Sequence, residues 1–184
     1  MLIIDACVRG GDSATRRYYE AYLETLPEKP VCETVYLGGA EAKPLTAETL
    51  AARDALIRAG RLDDGTFRLA RQFRDADEIL VAAPLWDLSF PAVLKAYFEN
   101  VSVAGLTFRY TETGSVGLCR AKKLTYFSTA GGFTSGHHLG YEYVRALAGL
   151  FGIPETVLYS AEGLDVDPAR REAVLADAIA RLSL

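Results

Sequence analysis

A chain of 184 residues, 50% apolar and 24% charged, has the size and balance of one globular domain with a sizeable buried core. Its net charge of −4 at pH 7 argues against nucleic acid as a partner, because a phosphate backbone calls for a clustered basic surface. No apolar run approaches the roughly 18 residues of a membrane span, and Leu2 follows Met1 with no basic leader, so the expectation is a cytoplasmic protein without a signal peptide or membrane span.

Leu2-Ile3-Ile4 predicts a first strand, followed by a turn through Arg9-Gly10-Gly11-Asp12. From about Ser13 a helix follows, with Tyr18, Tyr22, Leu23 and Leu26 spaced by three and four on one face. Residues 31–37 read as a second strand, and residues 46–74 as two helical pieces broken near 60–65. Residues 79–83 form a continuous apolar run stopped by Pro84, the pattern of a parallel strand covered on both faces. Pro91 suits the first position of a helix, in which Val93, Leu94, Tyr97, Phe98 and Val101 make an apolar stripe. Residues 106–110 and 115–118 flank Thr113-Gly114 as a small hairpin. A fourth main strand spans 124–127, a helix stopped by Gly152 spans 140–151, and a fifth strand spans 157–160. Asp167-Pro168 is expected to cap a last helix with Val174, Leu175, Ala178, Ile179 and Leu182 facing inward. Strands alternating with helices, without repeats or a linker, predict an α/β fold: one doubly wound, mostly parallel sheet in a single domain over residues 1–184.

Ligands of such sheets bind outside the carboxyl ends of the strands, which directs attention to the loops after strands one, three and four. The first combines glycines, a helix start and the hydroxyls of Ser13 and Thr15, with Arg9 or Arg16 able to add a charge-assisted bond to an anion. It matches neither a triphosphate-binding P-loop nor the spaced glycines of a dinucleotide fingerprint, and a capped helix after a glycine turn is its plain alternative. The third reads Pro84-Leu85-Trp86-Asp87-Leu88-Ser89-Phe90-Pro91 and carries the single tryptophan of the chain. Trp86 and Phe90 either wall a flat ligand or pack in the core. Ser128, Thr129, Gly131 and Gly132 follow the fourth strand and supply hydroxyls and close backbone approach. Together the loops suit a ligand with a phosphate and a planar head.

The cysteines, Cys7, Cys32 and Cys119, are odd in number and far apart, which predicts reduced thiols and neither a disulfide framework nor a metal site. Cys7 follows the first strand, where low-molecular-weight tyrosine phosphatases of similar fold carry their nucleophile. Their signature needs an arginine where this chain has Ser13, so Cys7 is read as a packing residue.

The text from Pro84 through Leu94-Lys95-Ala96-Tyr97-Phe98, then Gly105-Leu106-Thr107-Phe108-Arg109-Tyr110 and Ser128-Thr129-Ala130-Gly131-Gly132, resembles FMN-dependent NADH-azoreductases and NAD(P)H quinone oxidoreductases of the flavodoxin-like superfamily. The resemblance implies a three-layer sandwich with strand order 2-1-3-4-5 and non-covalently bound FMN. It places the phosphate on Arg9, Ser13 and Thr15, and the flavin ring against Pro84, Leu85, Trp86, Asp87 and Leu88. Ser128, Thr129, Gly131 and Gly132 would hold its pyrimidine end or opposite edge. It implies NADH or NADPH as donor, hydride transfer through flavin N5, and a quinone-type acceptor. It also implies a homodimer, with residues 98–110 as a candidate contact and an ordinary hairpin as the alternative. Azoreductases commonly have Tyr-Asn where this chain has Trp86-Asp87, which weakens the case for azo substrates. Of the adjacent histidines His137 and His138, at most one points inward, and His137 is taken as the candidate hydrogen-bonding group to substrate or flavin; otherwise the pair is a solvated loop. A non-enzymatic electron carrier of the flavodoxin type is the rival function.

Overall fold

β-branched, aliphatic and aromatic residues fill five short segments that pair in register. In the computed structural model, which describes residues 1–39 and 42–183, β1 (Leu2–Asp5) lies between β2 (Glu33–Tyr36) and β3 (Glu78–Ala82). β3 continues into a third pairing partner, a strand spanning Lys123–Thr129, which in turn pairs with one spanning Glu155–Ala161. All these pairings are parallel. A separate antiparallel hairpin precedes the latter two strands, so the hairpin strands are β4 (Phe108–Thr111) and β5 (Gly114–Gly117), and the main sheet runs β2-β1-β3-β6-β7. In main-strand numbering this is the 2-1-3-4-5 order that the resemblance implied.

Alternation along the strands sends side chains to two cores. Ile4, Val81 and Tyr126 face the layer built by α3 (Arg68–Asp75), α4 (Ala92–Val101) and α5 (Leu139–Phe151). Ile3, Leu80 and Phe127 face α1 (Ala14–Thr25) and α6 (Arg171–Ala180). The second helix, α2 (Ala47–Arg58), starts from Thr46, whose hydroxyl and backbone N–H exchange bonds with Thr49. Among the described residues no helix is long and apolar enough to cross a membrane.

Several boundaries shift by one to three residues from the sequence reading, and Pro91 is the N-cap of α4 rather than its first residue. Two further shifts have a clear physical setting. Val31 is 93% exposed and β2 begins only at Glu33, because the strand is at the sheet edge and pairs on one side only. Asp167 accepts from Ala169 N–H at 3.0 Å and so caps a 3-10 turn over Pro168–Arg170, with α6 starting after it. The hairpin is seated tightly at the far end of α5. A Cβ on Gly117 would stand only 2.0 Å from the Phe151 carbonyl carbon and the Gly152 nitrogen, and Gly152 itself adopts φ +81° to end the helix.

Candidate functional site

The loop after β1 is held from below. Asp5 Oδ1 accepts from Cys7 N–H at 2.8 Å, and Oδ2 accepts from Arg16 Nε at 2.7 Å and Tyr19 OH at 3.0 Å. Arg16 is thereby committed to Asp5, whereas Arg9 is exposed and makes no hydrogen bond or ion pair among the described residues. Ser13 is the N-cap of α1: its carbonyl takes Arg17 N–H at 3.1 Å, and its hydroxyl lies 3.4 Å from Arg16 N. The N–H groups of Ala14 and Thr15 have no partner within the helix, as at any helix start. Burial, then the neighbouring Asp5 charge, pushes the Cys7 thiol up to about 12, so this cysteine is a packing residue rather than a nucleophile.

β3 leads into a tight turn. Ser89 N–H donates to Trp86 O at 2.8 Å, and the central residues Asp87 and Leu88 both have positive φ, +50° and +64°. This is the backbone of a two-residue reversal that favours Asn-Gly or Asp-Gly. The reversal aims Trp86 at the cleft and returns Phe90 to the core, 5.5 Å from Tyr143 and 6.2 Å from Phe98 between ring centroids. Phe90 therefore does not share the ligand wall that the sequence suggested. Leu88 is 70% exposed, so its left-handed backbone is offset by no burial. The left-handed form costs a non-glycine residue about 1–2 kcal/mol, and glycine's extra freedom when unfolded costs about 0.5–1 kcal/mol. Leu88→Gly is thus expected to raise stability by about 0.5–1 kcal/mol in urea unfolding; a loss would show that the leucine side chain makes a stabilising contact.

The loops after β6 and β7 zip together. Leu164 N–H donates to Ala130 O at 3.1 Å, Asp165 N–H to Gly131 O at 2.9 Å, and Gly163 N–H to Gly132 O at 2.9 Å. Thr134 adds its N–H and hydroxyl to Glu162 at 2.8 and 2.7 Å. Burial alone would raise the Glu162 carboxyl, but these bonds outweigh it and hold it below its ordinary range. Asp165 also pairs with Arg171, and packs where a Gly131 side chain would otherwise stand.

These loops line an open cleft at the carboxyl ends of β1, β3, β6 and β7. Of the residues singled out from sequence, Arg9, Ser13, Thr15, Pro84, Leu85, Trp86, Thr129 and Gly131 line it. The Thr15 and Thr129 hydroxyls meet at 2.7 Å across its floor. Asp87 and Leu88 stand exposed at the turn tip, outside the walls. Ser128 is fully buried and faces the α5 side with Tyr126, one residue out of phase with Thr129. Gly132 is exposed, with its carbonyl engaged by Gly163. Leu164, Asp165 and Arg171 also line the cleft and were not anticipated. Their signal was positional, since they follow the carboxyl end of the last strand.

Of the two histidines, His137 is exposed and outside the cleft walls, while His138 is 6% exposed. Its Nδ1 accepts from Tyr141 N–H at 3.1 Å, making it the N-cap of α5 and assigning the proton to Nε2. Its ring stands edge-on to Tyr126, 5.6 Å between centroids. Burial lowers its pKa, against the raising effect of Glu162 and Glu142. The folded state therefore resists a proton that the unfolded chain accepts near pH 6.5, so stability falls as pH drops below that value. His138→Asn keeps a capping side chain and cannot titrate. Urea midpoints at pH 7 and pH 5 are expected to differ less in this variant than in the parent; equal differences would remove His138 from the acid response.

Three comparisons place the chain among known proteins. A family profile described as flavodoxin-like fold matches residues 1–184. An FMN-dependent NADH:quinone oxidoreductase of Rhizobium meliloti is 34% identical over 190 residues, covering 97% of this chain and 92% of that protein. A second such protein, from Clostridium acetobutylicum, is 42% identical over 122 residues, covering 64% of this chain and 61% of that one. The matches to this and another clostridial relative thus span only about three fifths of those proteins. An azoreductase structure from Bacillus anthracis superposes with a TM-score of 0.83 at 24% identity, covering 99% of this chain and 95% of that one, a likeness of fold.

Proposed function

Because this chain belongs to the family of flavodoxin-like fold and is homologous along nearly its whole length to an FMN-dependent NADH:quinone oxidoreductase, we propose that it binds FMN in the cleft and reduces quinone-type acceptors with NADH or NADPH. The observation that carries this reading is the convergence in one cleft of an unpaired arginine, a helix start with two free N–H groups, and an exposed tryptophan. That donor set suits a phosphomonoester joined to a flat ring.

Arg9 and the Ala14 and Thr15 N–H groups hold the phosphate, with Ser13 and Thr15 shaping the floor. Pro84, Leu85 and Trp86 wall one edge of the ring, and the backbone of Asp87 and Leu88 extends that wall outward. Thr129, Gly131 and Gly132 take the other edge, with Ser128 supporting them from behind. FMN, when bound, supplies two-electron exchange between nicotinamide and acceptor, and the protein contributes binding, orientation and exclusion of water. His137, exposed and outside the cleft walls, is left as a group that meets the acceptor rather than the flavin. We also read the protein as a homodimer, with exposed Tyr110 of the β4–β5 hairpin as a contact; sedimentation as a monomer at micromolar concentration would remove that part.

The experiment is the absorption spectrum of the purified protein followed by anaerobic addition of NADH or NADPH. A yellow protein whose flavin band bleaches with either dinucleotide and returns on adding a quinone fits the proposal. A flavin that neither dinucleotide bleaches leaves the electron-carrier reading instead. Azo dyes belong in the same assay as a separate acceptor class.

A further inference from the structure

Asp5 is the last residue of β1 and is 1% exposed, yet it lies under a loop proposed to take an anion. A buried carboxylate persists only where donors surround it. Here the donors come from both ends of that loop. Cys7 N–H, at its start, meets Oδ1, and Arg16 and Tyr19, in the first turns of α1, meet Oδ2. The second Arg16 contact, from the Nη2 nitrogen, is also 2.7 Å. The guanidinium is further pinned 5.1 Å above the ring of Tyr36 at the end of β2. Its remaining Nη1 nitrogen approaches Gly10, 4.0 Å from the point where a Cβ would stand, and Gly10 has φ +62°. Arg16 itself does not line the cleft. The carboxylate thus draws the two ends of the loop to one point, with the arginine lying behind its middle.

We infer that Asp5, through Arg16 and Tyr19, is the positioning residue that holds the Cys7–Thr15 loop in its anion-accepting shape, and thereby sets the preference for phosphorylated over unphosphorylated flavin. The inference rests on the FMN reading above. A loop already fixed in its binding conformation loses little freedom when the phosphate arrives, which is how a support shell raises affinity without touching the ligand. Charge alone predicts the opposite role. A negative carboxylate beneath a phosphate repels it, so removing that charge would tighten FMN binding if the field dominated. Geometry and field therefore give opposite signs for one substitution.

The test compares dissociation constants of FMN and riboflavin, read by quenching of flavin fluorescence, for the parent, Asp5→Asn and Tyr19→Phe. In Asp5→Asn the FMN preference over riboflavin is expected to shrink roughly tenfold, the scale seen when a supporting residue is lost, while riboflavin affinity stays within about twofold. Tyr19→Phe removes one bond and keeps the ion pair, so its preference should fall by roughly threefold. It carries the test if Asp5→Asn does not give a cooperative unfolding transition. A preference unchanged or increased in the variants, or equal losses for both flavins, overturns the inference while leaving the FMN reading intact. A parent protein that binds neither flavin defeats both.

Discussion

Arg9→Ala is expected to weaken FMN binding by about ten- to a hundredfold and to leave riboflavin binding within about twofold. The two flavins differ only in the phosphate, so their ratio isolates the contact. Two arginines of the first loop and helix looked equivalent in sequence, but Arg16 is spent on Asp5 and only Arg9 is free to move onto an anion. A charge-assisted bond contributes about 1.5–3 kcal/mol where water is partly excluded, which sets the expected range. Arg9 is exposed, so its effect should shrink as salt is raised from low to physiological ionic strength. Equal loss for both flavins would mean that the arginine shapes the loop instead of meeting the phosphate. No loss for either would point to Arg171, which also lines the cleft, once freed from Asp165.

The largest effect on stability is expected far from the cleft, from Gly117→Ala. The added Cβ would stand 2.0 Å from the Phe151 carbonyl carbon and the Gly152 nitrogen, which are backbone atoms at the end of a helix and cannot turn aside. Either the β4–β5 hairpin lifts from α5, or α5 gives up its left-handed stop at Gly152. Each route breaks packing around Phe151, which is fully buried among Phe73 and its neighbours. A loss of about 3–5 kcal/mol follows, with the melting temperature down by roughly 10 °C for a chain of this size. Calorimetry on the two proteins measures it directly. A shift of less than about 2 °C would show that the hairpin packs loosely enough to accept a methyl group. Since Gly117 is remote from the cleft lining, the folded fraction should bind FMN as the parent does.

The parts of the fold that follow from one element at a time were legible in sequence. β3 and α4 are examples: an unbroken apolar run ended by Pro84, and a stripe at helical spacing begun by Pro91. The strand order was different in kind. Periodicity identifies strands but not neighbours, and the 2-1-3-4-5 arrangement was available only through family resemblance. At the site, residue type indicated the right loops, while side-chain direction decided which members face the cleft. Ser128 and Thr129 are equally polar, yet a period of two sends one toward α5 and the other toward α1. Phe90 and Trp86 are both aromatic, yet the reversal at Asp87 and Leu88 separates them. Arg9 and Arg16 could not be told apart because the difference is a buried carboxylate on the preceding strand, a contact of tertiary origin. His138 was paired with His137 as a loop residue; its position as a helix cap with a buried ring depends on Tyr126 and Tyr141 arriving beside it.

The paired hydroxyls of Thr15 and Thr129 give the floor of the cleft a property that neither residue has alone. Two hydroxyls carry two protons, and their mutual bond at 2.7 Å occupies one of them. Whichever oxygen donates, the other keeps a proton to offer elsewhere. Rotating both O–H bonds exchanges the roles, so the spare donor can leave from the helix side or from the strand side at no net loss of hydrogen bonds. The floor is therefore a reversible dipole between α1 and β6, which can turn its positive end toward whichever wall a bound anion occupies.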